Sequence, residues 1–207
     1  MQIFVVGTGR CGTSTFYNAC QHVTNYTCRH EICYLHLIKQ QLINAIEVNG
    51  GLTFFIPQLR RQYQRAKWVH MIRDREACIK SLAEQAGQSV RYWANVWLQW
   101  ESSDAELPVA AGLFYDSVND LIVSQLPEVF TFRLESAYEQ DWPEFWDWAK
   151  CKGRFESSRV VWRRHYNSGE FRGRDNSTSP SRALIVRPKY TISLLQKPSV
   201  VYPNRTR

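Results

Sequence analysis

The residues with the clearest capacity for chemistry lie in a glycine-rich segment near the start of the chain, GTGRCGTST, which spans residues 7–15. An apolar run, Ile3–Val6, leads into it, and a hydroxyl-rich helix start follows it. Backbone N–H groups and the positive end of a helix dipole converge at such a turn, so it can hold a phosphate or a sulfate. We therefore predict an anion site whose residues are Gly9, Arg10, Cys11, Gly12, Thr13, Ser14 and Thr15.

The elements that must position this turn alternate between strands and helices. Short apolar runs predict buried strands, which are Ile3–Val6, Tyr26–Arg29, Lys67–Ile72 and Val129–Leu134. Apolar residues at helical spacing predict helices over residues 13–21, 32–47, 74–85 and 142–150. Asp74 is the expected N-cap of the third helix. This alternation predicts an α/β protein with a three-layer, P-loop-like fold, in which helices flank a central parallel sheet.

A stripe of tryptophans allows two interpretations. Val90, Trp93, Trp97 and Trp100 are expected on one face of a further helix. Such a stripe could form a stacking platform for a sugar or an aromatic acceptor. Aromatic residues at helical spacing are more often buried, so we expect a core position for the stripe.

Length and charge set the domain organisation. The 207 residues are enough for one sizeable α/β domain, which we place at 1–172, followed by a basic, Pro/Ser-rich extension at 173–207. Residues 1–151 carry 13 Lys/Arg against 16 Asp/Glu, a net charge of −3, whereas residues 152–207 carry 13 against 3, a net charge of +10. The basic part is interpreted as a solvated extension, with an electrostatic funnel for an anionic ligand as the alternative.

Targeting and redox features are sparse. The chain has no apolar run of about 18 residues and its first strand begins at Gln2, so we expect a cytoplasmic protein without a signal peptide or transmembrane segment. The six cysteines have no CxxC or zinc-ligand spacing, so reduced thiols are expected. No metal site and no nucleic-acid partner are expected, and the oligomeric state is open.

The glycine turn fits two general phosphate-binding patterns. Gly7, Gly9 and Gly12 match the dinucleotide pattern GxGxxG, and Glu31 lies 19 residues beyond Gly12, where a ribose-binding acid is expected. The polar residues before Glu31 do not suit the hydrophobic second strand of that fold. The turn also fits the P-loop frame, but Thr13 stands where a lysine should contact a triphosphate, which argues against ATP or GTP hydrolysis.

Two segments together resemble the sulfotransferase family, and the closest motifs are those of its tyrosylprotein and carbohydrate branch. GRCGTST is similar to the family's 5′-phosphosulfate loop. KWVHMIRDREACIKSLAE resembles its 3′-phosphate segment, with Arg73 at the strand end and Ser81 eight residues later. A looser likeness is FRLE, residues 132–135, and the resemblance covers about residues 2–152. No familiar C-terminal nucleotide loop follows.

The resemblance implies the donor 3′-phosphoadenosine 5′-phosphosulfate and in-line transfer of its sulfuryl group to an acceptor hydroxyl. The loop would bind the 5′ end, and Arg73 with Ser81 would bind the 3′-phosphate. Arg10 would stabilise the leaving phosphate. Glu31 stands where the family has its catalytic base, with His30 as the alternative base.

Other functions stay open at this point. They are a P-loop kinase-like phosphotransferase, a nicotinamide-dependent oxidoreductase, and a non-catalytic module that binds a nucleotide or a polyanion. The acceptor is a carbohydrate, a tyrosine or a small molecule, and nothing in the sequence selects among these three.

Overall fold

Five parallel strands form the centre of the protein. The computed structural model describes residues 1–32, Leu37 and residues 43–163. The strands are β1 (Gln2–Gly7), β2 (Thr27–His30), β3 (Ala45–Val48), β4 (Lys67–Ile72) and β5 (Phe130–Arg133). The helices are α1 (Thr13–Cys20), α2 (Ile56–Gln62), α3 (Arg75–Trp93), α4 (Leu107–Gln125), α5 (Trp142–Trp148) and α6 (Phe155–Val160). The strand order is β2-β3-β1-β4-β5.

Strand β1 lies in the middle of the sheet and contributes to a core on each face. Its residues 3–6 are fully buried, and alternate side chains point to opposite faces. Ile3 and Val5 pack with residues of α1, β5 and α5, including Phe16, Phe132, Trp142 and Phe145. Phe4 and Val6 pack with residues of α2 and α4 on the other face, including Ile56, Leu59, Val118 and Ile122. The predicted three-layer α/β fold is therefore confirmed.

The predicted helix over residues 32–47 is wrong at its end, because Ala45–Val48 forms β3. This strand pairs in parallel with both β1 and β2, with Val5 opposite Val48 and His30 opposite Val48 on the other side. All four of its residues are buried, including Glu47. A short run that contains a charged residue lacks the continuous apolar pattern that predicts a central strand. Leu37 is helical, and the other positions predicted between 33 and 42 lie outside the described residues.

The turn after β3 leads the chain towards the glycine-rich loop. Asn49-Gly50-Gly51 follows β3 and begins a 3₁₀ segment, Gly50–Phe55. The Asn49 side chain accepts a hydrogen bond from the backbone N–H of Gly51 at 2.8 Å. This Asx-type cap turns the chain back towards the glycine-rich loop.

Helix α3 is longer than predicted and contains the start of the tryptophan stripe. Asp74 caps it as expected, with its carboxylate accepting from the N–H of Ala77 at 2.9 Å. The helix kinks at Ala86 (φ −128°) and continues to Trp93, followed by a π-helical turn, Ala94–Leu98. Trp93 is buried as predicted, whereas Trp97 is 66% exposed, so the core interpretation is wrong for Trp97.

Helix α4 was missed in the sequence. Its buried residues recur at helical spacing, at positions 107, 110, 111, 118 and 122, and Pro108 lies in its first turn. No helix within the described ranges is long and apolar enough to cross a bilayer. The extension proposed for residues 173–207 lies outside the described residues.

Candidate anion-binding and transfer site

A single cavity of about 1130 Å³ lies at the carboxyl ends of the strands, where α/β sheets bind their ligands. The strand order reverses beside β1, because β3 and β4 pair with its two edges. Ten of the residues predicted for the site line this cavity; they are Gly9, Arg10, Gly12, Thr13, Ser14, Thr15, His30, Glu31, Arg73 and Ser81. The structure therefore brings together segments that are up to 72 residues apart in sequence.

The glycine-rich loop has the backbone conformation of an anion-binding turn. Gly9, Arg10 and Gly12 have φ values of 72°, 56° and 102°, which are left-handed. Such turns point successive N–H groups into a common concavity. Helix α1 begins at Thr13 without an acidic residue in its first turn and without a side-chain cap bond from Gly12. The first N–H groups of a helix have no intrahelical partners, so they can bind an anion.

Neighbouring segments hold the loop so closely that three glycines have no space for a side chain. A Cβ at Gly7 would lie 2.7 Å from the carbonyl oxygen of Met71, and a Cβ at Gly12 would lie 2.7 Å from Cδ1 of Leu134. Gly50, which follows β3, packs against the loop from the other side. A Cβ added at Gly50 would lie 2.9 Å from the carbonyl oxygen of Gly7. This role of Gly50 could not be predicted from the sequence.

Arg73 and Arg10 join the loop to the following strand and helix. The Arg73 Nη1 donates to the carbonyl oxygen of Arg10 at 3.1 Å, and the Tyr115 hydroxyl donates to the Arg73 carbonyl at 2.7 Å. The Arg10 Nε donates to the Ser81 hydroxyl at 3.2 Å, and its Nη2 donates to the side-chain oxygen of Gln85. Arg10 therefore lies between the two predicted anion sites. Gln85 is a site residue that the sequence analysis missed.

Cys11 takes a different position from the rest of the loop. Its side chain is fully buried beneath the loop, facing Gly7 and near Cys78, and it does not line the cavity. Burial raises the pKa of the Cys11 thiol to about 12, so the thiol stays protonated. Any contact of Cys11 with a ligand would therefore come from its backbone.

Glu31 and His30 lie together at the end of β2. The Glu31 side chain is 72% exposed, and its Oε1 lies 3.8 Å from the His30 Nε2. The His30 ring stacks on Tyr17 with a centroid distance of 5.2 Å. Burial lowers the pKa of His30, an effect that the nearby Glu31 carboxylate partly offsets, so the imidazole is neutral at pH 7.

The backbone around Glu31 is held in an unusual conformation by β3. Glu31 has a φ of 55°, and its N–H donates to the carbonyl of Val48 at 3.0 Å. The next residue, Ile32, donates its N–H to Glu47 Oε1 at 3.4 Å and accepts from the Asn49 side chain at 3.0 Å. A non-glycine residue persists in this region only when its surroundings fix it, and such residues cluster at functional sites.

Glu47 is the most perturbed carboxyl group near the site. It is fully buried, and its Oε2 lies 3.3 Å from the Arg29 Nε. Burial raises the pKa of Glu47 to about 7, although the Arg29 guanidinium acts in the opposite direction. Across the described ranges, no group of three or more His, Cys, Asp or Glu side chains is arranged to hold a metal ion.

The fold and the cavity define a class, namely parallel α/β proteins of the P-loop-like type with a cavity at the carboxyl edge of the sheet. Among solved structures, the chain is similar to mouse sulfotransferase SULT7A1 complexed with PAP, at a TM-score of 0.50 and 10% identity over 78% of this chain. The match covers 63% of the mouse chain, less than two thirds of its length. At this identity the likeness shows the fold, which is that of a sulfotransferase. No family model and no curated protein matches the chain.

Replacement of Gly50 tests the close packing behind the loop. We expect Gly50→Ala to lower the free energy of unfolding by about 1–3 kcal/mol, because the new Cβ would meet backbone atoms that have no free space to move. Urea denaturation measures the change. Gly51→Ala is the matched control, since its Cβ would meet only the Asn49 side chain, at 3.2 Å. Equal losses in both variants would contradict the packing role of Gly50.

The raised pKa of Glu47 predicts that the free energy of unfolding depends on pH. Its folded pKa of about 7 exceeds the ordinary 4.5, so its contribution is complete below pH 4.5 and declines as the pH rises to about 7. The expected decline is about 3 kcal/mol. Urea denaturation at pH 5 and pH 7.5 should show this decline in the wild type but not in Glu47→Gln. His30 and His70, whose pKa values burial lowers, give the opposite slope in both proteins. Identical pH profiles would contradict the assignment.

Proposed function

We propose that the protein is a sulfotransferase that moves a sulfuryl group from 3′-phosphoadenosine 5′-phosphosulfate to an acceptor hydroxyl. The observation that carries the proposal is that the glycine-rich loop, Arg73 and Ser81 line one cavity in a sulfotransferase-type fold. PAP, bound to the mouse protein, is the product that this donor leaves after transfer.

The residues of the cavity fit a donor with two anionic ends. The left-handed loop and the start of α1 offer backbone N–H groups for one end. Arg73 and Ser81 offer a guanidinium and a hydroxyl for the 3′-phosphate. The cavity of about 1130 Å³ exceeds the usual range for small ligands, about 300–1,000 Å³, so it has room for the donor and part of an acceptor.

Arg10 is proposed to stabilise the leaving phosphate. The transfer forms a bond from the acceptor oxygen to sulfur and breaks the bond from sulfur to the bridging oxygen. Negative charge then grows on that oxygen, and a fixed guanidinium stabilises it. The Arg10 side chain is held by Ser81 and Gln85. The Ser81 hydroxyl accepts from Arg10 and can donate to a bound 3′-phosphate at the same time, which would couple donor binding to the placement of Arg10.

Glu31 is proposed to accept the proton of the acceptor hydroxyl. Its side chain is exposed at the cavity, so an incoming hydroxyl can reach it. The neutral His30 beside it is the alternative base. The acceptor is proposed to be a tyrosine or a carbohydrate, because the loop motif resembles that of the tyrosylprotein and carbohydrate branch.

Substitution of Arg73 tests donor binding. Thermal shift with PAP should show stabilisation of the wild type, as a ligand at a hundredfold excess adds about 2.7 kcal/mol. We expect Arg73→Ala to bind PAP about 10- to 100-fold more weakly, since it loses a charge-assisted hydrogen bond. Ser81→Ala should weaken binding less, because it removes a neutral donor.

Arg75→Ala is the matched control for the loss of an arginine. Arg75 lies two residues further on, pairs with Asp116 at 2.8 Å and does not line the cavity. Its loss should leave PAP binding unchanged. Stabilisation by NAD or magnesium-ATP, with none from PAP, would overturn the proposed function.

Substitution of Glu31 separates chemistry from binding. Glu31→Gln should lower turnover about 10²- to 10⁴-fold, the usual contribution of a general base, while PAP binding stays intact. Labelled donor with a panel of hydroxyl acceptors measures turnover. Glu76→Gln, which changes a carboxyl group that pairs with Arg75 and does not line the cavity, is the control and should retain activity. Wild-type turnover in Glu31→Gln would reject Glu31 as the base.

A further inference from the structure

Large apolar side chains are exposed together at one end of α3. We define the aromatic platform as Phe54, Tyr92, Val96 and Trp97, whose exposed fractions are 38%, 72%, 52% and 66%. The rings of Phe54 and Trp97 lie within 14° of parallel, with centroids 6.3 Å apart. A group of this kind, rather than a single exposed apolar residue, marks a binding surface.

The aromatic platform is connected to the cavity through two segments of the chain. Ser89 lines the cavity, and Tyr92 lies about one helical turn further along α3. Trp97 belongs to the π-helical turn that follows α3. Phe54 belongs to the 3₁₀ segment whose first residue, Gly50, packs against the glycine-rich loop. The contact of Phe54 with Trp97 joins these two segments.

The chemistry beside the aromatic platform favours a sugar over a small aromatic ligand. The α3 wall of the cavity presents the polar side chains of Lys80, Glu84, Gln85 and Ser89 together with apolar ones. Pockets for small apolar ligands enclose about 70–90% of the ligand surface, which an open platform does not do. The C–H face of a sugar ring packs on the electron-rich face of an aromatic ring, and its hydroxyls need polar partners such as those of the α3 wall.

Resting on the proposed function, we propose that the aromatic platform binds an extended carbohydrate acceptor. The sugar units stack on Trp97 and Tyr92, and the α3 wall receives the next unit, so that one of its hydroxyls reaches the cavity near Glu31. The platform thereby selects a glycan among the acceptor classes that the sequence leaves open.

The test is direct binding of two glycan probes, unsulfated chondroitin hexasaccharide and chitohexaose, measured by calorimetry and saturation-transfer NMR with and without PAP. At least one probe should bind, and Trp97→Ala should weaken it about 2- to 10-fold, the range for one aromatic contact. Trp97→Phe should restore most of the affinity. Leu113→Ala, at another exposed apolar residue on α4, should have no effect.

The other possible occupants are outcomes of the same experiment. Failure of both probes to bind, or Trp97-dependent binding of a tyrosyl peptide or of 4-nitrophenol in their place, would overturn the proposal. So would a change from dimer to monomer in Trp97→Ala, which would show that a second copy covers the surface. A lower Tm of Trp97→Ala than of the wild type, measured without ligand, would show that the chain itself covers Trp97. Thermal shift with PAP reports on the donor site alone, so failure of the proposed function is recognised separately.

Discussion

Close packing of backbone against backbone at the end of β1 is the constraint on which the site depends. The turn after Gly7 has the end of β4 on one side and the segment after β3 on the other, and neither leaves space for a Cβ at Gly7 or Gly50. The loop is therefore positioned by the sheet itself, and an ordered sheet gives an ordered loop at the cavity. Such pre-organisation lowers the cost of ordering on binding of a ligand.

The position of the glycine-rich loop and of Arg73 at the ends of their strands could be predicted from the sequence because it depends on local chain features. A glycine-rich turn after a buried run, and an arginine after another, each act within a few residues of a strand end. The missed features depend on distant contacts. Gln85 matters because the Arg10 side chain reaches it, and Gly50 matters because β3 inserts between β1 and β2. Strand β3 was missed because it contains the charged Glu47, whose partly buried partner Arg29 lies 18 residues earlier in the chain.

The two arginines make different contacts, because Arg73 supports the loop backbone and the Arg10 side chain reaches α3. Arg73 donates to the carbonyl oxygen of Arg10, so the same guanidinium group supports the loop and faces the cavity. A guanidinium has five N–H groups in a rigid plane, which allows both contacts at once. Arg10 has its backbone in the left-handed region and its side chain directed to α3. The loop backbone and the Arg10 side chain therefore face different parts of the cavity, which suits a ligand with two charged ends.

The kink at Ala86 divides α3 into two halves with different surroundings. The half before the kink carries Ser81 and Gln85 and is tied to the loop, whereas the half after it ends in exposed aromatic side chains. Substitutions in the second half change the solvent-facing surface and leave the hydrogen bonds that hold Arg10 in place. The surface of the second half can therefore vary while the hydrogen bonds of the first half are kept. A single helix with a break near its middle is enough to separate the two.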